Sequence, residues 1–328
     1  NEEDITLISP HMAPGLYDAF GTEDFDDLYL KYEADKTIPK KTVPAQDLFF
    51  DLLKERAETG RIYIMNLDHC NSHSSFKDKI SMSNLCQEIT LPTTPIQDIH
   101  DEQGEIALCI LSAVNVGGLN DLSELESICD LSVRALEQII DYQDYPVKAA
   151  EVSTKKRRSL GIGYIGLAHY LAKNGVKYSD PKAWDLVDRL SEAFQYNLLR
   201  ASCNIAIEKG RCEGFERTKY ADGLLPIDHY KKEIDEIVPH KQRMAWESLR
   251  KDIAKHGLRH STLSAQMPSE SSSVVSNETN GIEPPRALMA IKKSKKGPLK
   301  QIAPGFPKLK NEYTLLWDMP NNTGYINV

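Results

Sequence analysis

GEIALCILSAVN, residues 104–115, is an almost unbroken apolar run held between Gly104 and Gly117. A strand with one wet face alternates polar and apolar residues, so a run apolar at nearly every position predicts a strand covered on both faces. Downstream, residues 121–141 predict a helix with Leu122, Leu125, Ile128, Cys129, Leu136, Ile139 and Ile140 turned inward. A short strand near 160–165 follows, then a long helix over 183–209 ended by Gly210, and another over 241–255 ended by Gly257. STLSAQM (261–267) is a further strand candidate that runs into PSESSS and a Ser/Asn-rich helix start. Strands alternating with helices predict an α/β fold with a largely parallel sheet or barrel.

Upstream, Thr22 is placed to cap a helix carrying Phe25, Leu28, Tyr29 and Tyr32 at helical spacing. Pro44 opens a second, with Ala45, Leu48, Phe49, Leu52 and Leu53 on one stripe and Gly60 as its stop. RIYIMN (61–66) predicts a strand. No internal repeat or low-complexity tract divides the chain, although composition changes over 225–240 and suggests a sub-boundary near residue 228.

The formal charge of −8 over 328 residues argues against a general nucleic-acid binder, which would present a basic face. Two basic runs break the acidic background, Lys155-Lys156-Arg157-Arg158 and Lys292-Lys293-Ser294-Lys295-Lys296. They are expected to be solvated surface, with contact to a phosphate or a partner as the alternative. Six cysteines without a CxxC pair do not form a disulfide framework and suit a reducing, cytoplasmic setting. No apolar run approaches the roughly 18 residues of a membrane span, and no signal peptide is visible. The first residue is Asn1 and the last four, Tyr325 to Val328, look like the start of a strand or helix, so the chain is expected to be a piece of something longer.

SNLCQE (83–88) sets Asn84, Cys86 and Glu88 at alternate positions. If extended, the three share one face; if helical, Asn84 and Glu88 do and Cys86 points away. Ile89, Thr90, Leu91 and Pro92 favour the extended case. A thiol between an amide and a general base could carry chemistry; a buried strand cysteine with chance polar neighbours is the plainer explanation. GIGYIG (161–166) matches GxGxxG formally, but KKRR stands where a buried strand should precede it, so close strand–helix packing at glycine is expected rather than a dinucleotide. His69-Cys70-Asn71-Ser72-His73 lacks a second clustered ligand pair and is expected to be a structural loop, with no metal. Cys129 and Cys203 are expected in the core. Pro268, Ser269, Glu270, Ser271 and Ser272 sit between a strand and a helix start, where hydroxyls and N–H groups suit a phosphate or a simple serine cap.

Taken together, SNLCQE, GEIALCILSAVN, STLSAQMPSESSS and NGIEPPR, in this order, resemble the large catalytic subunit of class I ribonucleotide reductases; RIYIMNLDHCNSHS, DYQDYP and LPIDHYKK resemble it too. The resemblance covers residues 1–328 and implies part of a ten-stranded α/β barrel with an internal finger loop, plus flanking α/β elements. It places a thiyl-radical cysteine at Cys86, which would remove the 3′-hydrogen of a ribonucleoside diphosphate. Glu88 would be base to the 3′-hydroxyl, Asn84 would hydrogen-bond substrate hydroxyls, and Cys109 would be one of two reducing cysteines. Residues Pro268 to Ser272 would bind the substrate phosphates. The resemblance further implies a metal-containing small subunit as radical source, no cofactor held by this chain, and thioredoxin or glutaredoxin as external dithiol. The second reducing cysteine, the effector loops and any ATP-cone would precede residue 1. Paired tyrosines and a tail with shuttle cysteines would follow the last residue, so the chain would need the remaining portions of the large subunit. Competing expectations are a glycyl-radical enzyme, a nicotinamide-dependent dehydrogenase built on GIGYIG, and a non-catalytic scaffold that binds the small subunit.

Overall fold

A computed structural model describes residues 3–237, 241–294 and 297–319. Tyr325 to Val328 and the Lys295-Lys296 end of the second basic run lie outside the described residues. The chain divides into two compact units, residues 1–74 with 80–83 and residues 75–79 with 84–328, so residue 228 falls inside the second.

In the first unit, β1 (Asp4–Ile8) pairs antiparallel with β2 (Lys40–Pro44), and α1 (Leu16–Ala19), α2 (Asp24–Ala34), α3 (Ala45–Thr59) and α4 (Leu67–His73) complete it. Tyr29 ties α2 to β1: its hydroxyl accepts from the Thr6 N–H at 2.8 Å and donates to the Thr6 carbonyl at 3.0 Å. Thr22 does not cap α2; its hydroxyl donates backwards to the Ala19 carbonyl at 2.6 Å. Gly60 ends α3 in the left-handed region, as its sequence position predicts. Residues 61–66 are not a strand. Tyr63 and Ile64 are exposed, and a strand needs a ladder partner as well as apolar residues. The His69–His73 stretch is helical rather than a loop, because it forms α4, and among the described residues no group of three or more His, Cys, Asp or Glu side chains gathers as a metal site.

The second unit is built on two parallel strands, β3 (Ile110–Asn115) and β4 (Leu160–Ile165), paired from Ile110↔Leu160 to Asn115↔Ile165. The crossover carries α5 (Glu124–Tyr142) and α6 (Lys148–Arg157). Beyond β4 come α7 (Leu167–Lys173), α8 (Pro181–Lys209), α9 (Trp246–His256), α10 (Glu270–Val275) and an antiparallel hairpin, β5 (Met289–Ser294) with β6 (Gly297–Ile302). Residues 262–265 run parallel along the other edge of β4, where Leu160 and Ile162 donate to the Thr262 and Leu263 carbonyls. The α/β class is as expected. The continuous strand over 104–115 is shorter, starting only at Ile110. Among the described residues the strands form three two-stranded sheets and no closed barrel.

The core lies between α5, α8 and β4. Leu125, Cys129, Val133, Leu136 and Ile140 fill one face of α5 against Leu190, Leu198, Leu199 and Cys203 of α8, with Leu160 and Ile162 beneath. Val133 replaces the expected Ile139, which is exposed. No helix among the described residues is long and apolar enough to cross a membrane.

The first basic run is the principal departure from expectation. Arg157 is only 2% exposed and pairs with Glu105 and, at 2.8 Å, with Asp78. Arg158 pairs with Glu137 and Asp141, both at 2.8 Å. Glu137, 1% exposed, also takes Arg259 at 2.8 Å and His260 at 3.1 Å. Burial alone would raise this carboxyl, yet hydrogen bonds from His260, Arg158 and Arg259 outweigh it and hold the group at about 2. The cluster ties α5 and the end of α6 to the segment entering 262–265. Glu137→Gln leaves buried guanidinium charge unmatched and should cost about 3–5 kcal/mol in urea unfolding at neutral pH. Because the folded carboxyl titrates below its ordinary value of 4.5, its stabilisation is present above that pH and is lost as pH falls towards 2. The gap between wild type and variant should therefore narrow in acid; a constant gap would contradict the assignment.

Candidate active site

Residues 84–89 form a closed turn rather than an extended segment. The Gln87 N–H donates to the Asn84 carbonyl at 3.1 Å, with Gln87 in the left-handed region at φ 61°. The Asn84 N–H donates to the Ile89 carbonyl at 3.3 Å, and the Ile89 N–H donates to Asn84 Oδ1 at 3.2 Å. The expected one-face alternation of Asn84, Cys86 and Glu88 is therefore corrected. A short amide side chain competes for backbone donors and favours the turn over a ladder. Leu85, 86% exposed, and Cys86 stand at the tip. Glu88 turns inward, and its Oε2 is sealed from solvent without a hydrogen-bond partner.

Cys109 is half-buried immediately before β3. Burial, with the neighbouring Glu88 charge, pushes its thiol up to about 12, so it is protonated at neutral pH. Space for it comes from GIGYIG. A Cβ on Gly161 would lie 3.0 Å from Cys109 Sγ, 2.7 Å from Leu111 and 3.1 Å from Ala265. One on Gly163 would lie 2.4 Å from the Ala265 carbonyl. The glycines do serve close packing, but between strands and under a thiol rather than between strand and helix. Where a dinucleotide fold would place a pyrophosphate, Gly166 and Leu167 at the head of α7 already donate to the Thr279 and Gly281 carbonyls. Both N–H groups are therefore already spent within the fold, which weakens a dehydrogenase reading of GIGYIG.

At the other candidate loop, Pro268, Glu270, Ser271 and Ser272 are exposed and Ser269 is buried. Ser269 makes no side-chain cap for α10. Its hydroxyl donates to Asn280 Oδ1 at 3.2 Å and accepts from the Gly281 N–H at 3.2 Å. Ser273, also buried, donates to the Glu270 carbonyl at 2.8 Å. The open hydroxyls are those of Ser271 and Ser272. Cys129, Cys203 and Cys212 are core residues with thiols raised by burial. The fold thus brings Glu88 to Cys109 and ties Ser269 to Asn280 and Gly281. Gly161, Asn280 and Glu278 were not singled out as site residues, although GIGYIG and NGIEPPR flagged the neighbourhoods of all three.

A sequence model of the ribonucleotide reductase barrel domain matches residues 1–322. The chain is 57% identical, over 99% of its length, to the ribonucleoside-diphosphate reductase subunit alpha of Buchnera aphidicola (subsp. Baizongia pistaciae), and 57% identical to that of Haemophilus influenzae. It is 54% identical to ribonucleoside-diphosphate reductase 1 subunit alpha of Escherichia coli. In each case it spans 44% of the relative's length. The chain belongs to the ribonucleotide reductase barrel-domain family.

Exposure and charge predict an order of thiol reactivity. Iodoacetamide at pH 8 should label Cys86 at least ~100-fold faster than Cys109, read by peptide mass spectrometry. Glu88→Gln removes the charge that raises Cys109, so its labelling should quicken at pH 9–10 while that of Cys86 is unchanged. Equal labelling of Cys109 with and without Glu88 would contradict their proximity.

Proposed function

We propose that this chain is the catalytic region of a ribonucleoside-diphosphate reductase acting on CDP, UDP, ADP or GDP to make DNA precursors. The observation that carries the reading is Glu88. A carboxylate oxygen shielded from water and lacking a partner, beside a thiol kept protonated, is poised to take a proton from something that enters. In the proposed cycle the Cys86 sulfur radical takes the 3′-hydrogen atom, forming an S–H bond and a carbon radical. Glu88 accepts the 3′-hydroxyl proton, and Asn84 hydrogen-bonds the substrate hydroxyls while closing its own turn. The 2′-hydroxyl departs as water with a proton from Cys109. A second cysteine, from outside this chain, gives its hydrogen to C2′; the remaining electron of the pair goes to the 3′-ketone as Glu88 returns its proton to the 3′-oxygen, and the two sulfurs become a disulfide. Cys86 then returns its hydrogen atom to C3′. Ser271 and Ser272, on the loop Pro268–Ser272, contact the phosphates.

The same reading supplies the partners: a metal-containing small subunit as radical source, the remaining portions of the large subunit, and thioredoxin or glutaredoxin to reduce the disulfide. The setting is cytoplasmic. The barrel with an internal finger loop is the architecture this assembly would complete, residues 84–89 being the loop tip.

Reduction of labelled CDP to dCDP by the chain, assembled with those partners, tests the reading. Cys86→Ser should abolish turnover and Glu88→Gln should lower kcat by roughly 10²–10⁴. Equal turnover of wild type and Cys86→Ser would overturn the role of Cys86.

A further inference from the structure

Glu278 lies just beyond α10, is 3% exposed, and has no part in the cycle above. Its Oε2 is 2.9 Å from Nδ1 of His169 on α7, and its Oε1 accepts from the Thr279 N–H at 2.8 Å. The carboxylate occupies a slot that exists because two residues have no side chain. A Cβ on Gly117 would fall 2.5 Å from Oε2, and one on Gly166 would fall 2.8 Å from Cγ.

The surrounding backbone is pinned at several points. The Glu278 N–H donates to the Ser273 carbonyl at 2.8 Å, Gln301 donates to the Glu278 carbonyl at 2.9 Å, and Gly166 donates to the Thr279 carbonyl at 3.0 Å. From this anchor the chain passes directly to Asn280 and Gly281, which hold Ser269. Asn280 Oδ1 also accepts from Ser273 at 3.4 Å. Ser271 and Ser272 are thus suspended between two serines whose positions depend on residues 278–281.

We propose that Glu278 and His169 are positioning residues for the substrate diphosphate, fixing through Thr279, Asn280 and Gly281 where Ser271 and Ser272 stand. The inference rests on the reading of Pro268–Ser272 as the phosphate loop. A buried carboxylate is a costly way to fill space, since a hydrophobic residue of similar volume is often neutral or better for stability. Placement of a neighbouring loop is what a directional charged group adds, and small misplacements of a substrate-holding group cost far more in catalysis than in folding.

The test uses the assembled reductase with CDP as substrate and inorganic pyrophosphate as a competitive probe. Glu278→Leu and, independently, His169→Phe should raise the KM for CDP and the pyrophosphate inhibition constant about tenfold, with kcat within twofold. Glu278→Gln, which keeps a hydrogen-bonding group of the same size, should recover part of that loss. Unchanged KM and inhibition constant with a lowered melting temperature would overturn the proposal in favour of a purely structural pair. So would a fall in kcat with KM unmoved. His169, being 15% exposed, gives an independent reading should Glu278→Leu fail to fold. Failure of the underlying phosphate-loop reading shows separately: Ser271→Ala with Ser272→Ala would then leave the pyrophosphate constant unchanged.

Discussion

The missing side chains of Gly161 and Gly163 let β3 and residues 262–265 close in on β4, and the candidate site is built on that contact. β4 is flanked by β3 on one edge and residues 262–265 on the other, and on one face a Cβ at its glycines would collide with Leu111 and the Ala265 carbonyl and crowd Cys109 and Met267. The opposite face carries Ile162 and Tyr164 into the packing of α5 and α8, where the Tyr164 ring meets Phe194 edge to face at 5.3 Å. One strand therefore has a filled side, which supplies stability, and a bare side, which leaves room for a thiol. The next chain reversal extends the pattern: Gly166 and Gly117 open the slot that Glu278 fills.

Charge is handled by internal pairing. Lys155, Lys156, Arg157 and Arg158 resemble a solvated run in one dimension, yet Glu151, Glu105, Asp78, Glu137 and Asp141 meet them in three. Glu151 is a same-helix neighbour of the exposed Lys155, but Glu105, Asp78, Glu137 and Asp141 come from other segments, so for Arg157 and Arg158 a solvated patch was the wrong description. The cluster holds the segments that lead into β4 and into residues 262–265. The candidate site thereby rests on a rigid base, as a catalytic constellation needs.

Legibility in the sequence followed the range of the interactions. Helices α2, α3, α5 and α8 were visible because 3.6-residue periodicity and glycine stops are local signals. Residues 61–66 misled because apolar content indicates a strand without naming its partner. The 84–89 turn was hidden because Asn84 closes it through its own side chain, a choice that alternation alone does not disclose. The spacing of Asn84, Cys86 and Glu88 was legible as possible chemistry, whereas Cys109 entered only through the family resemblance, which implied the proposed roles. The Glu88–Cys109 neighbourhood, the seat under Cys109 and the Glu278 slot all depend on contacts between distant segments, which no single-sequence pattern encodes.

On the proposed function, the sealed oxygen of Glu88 awaits a substrate hydroxyl between the Cys86 turn and Cys109. A crystal or cryo-electron-microscopy structure of the assembled subunit with CDP tests this most directly. The expected result is a ribose lodged between Cys86 and Cys109, its 3′-oxygen within hydrogen-bond distance of Glu88, and phosphates against Ser271 and Ser272. A bound CDP that leaves Glu88 without a partner, or seats its phosphates elsewhere in the fold, would contradict it.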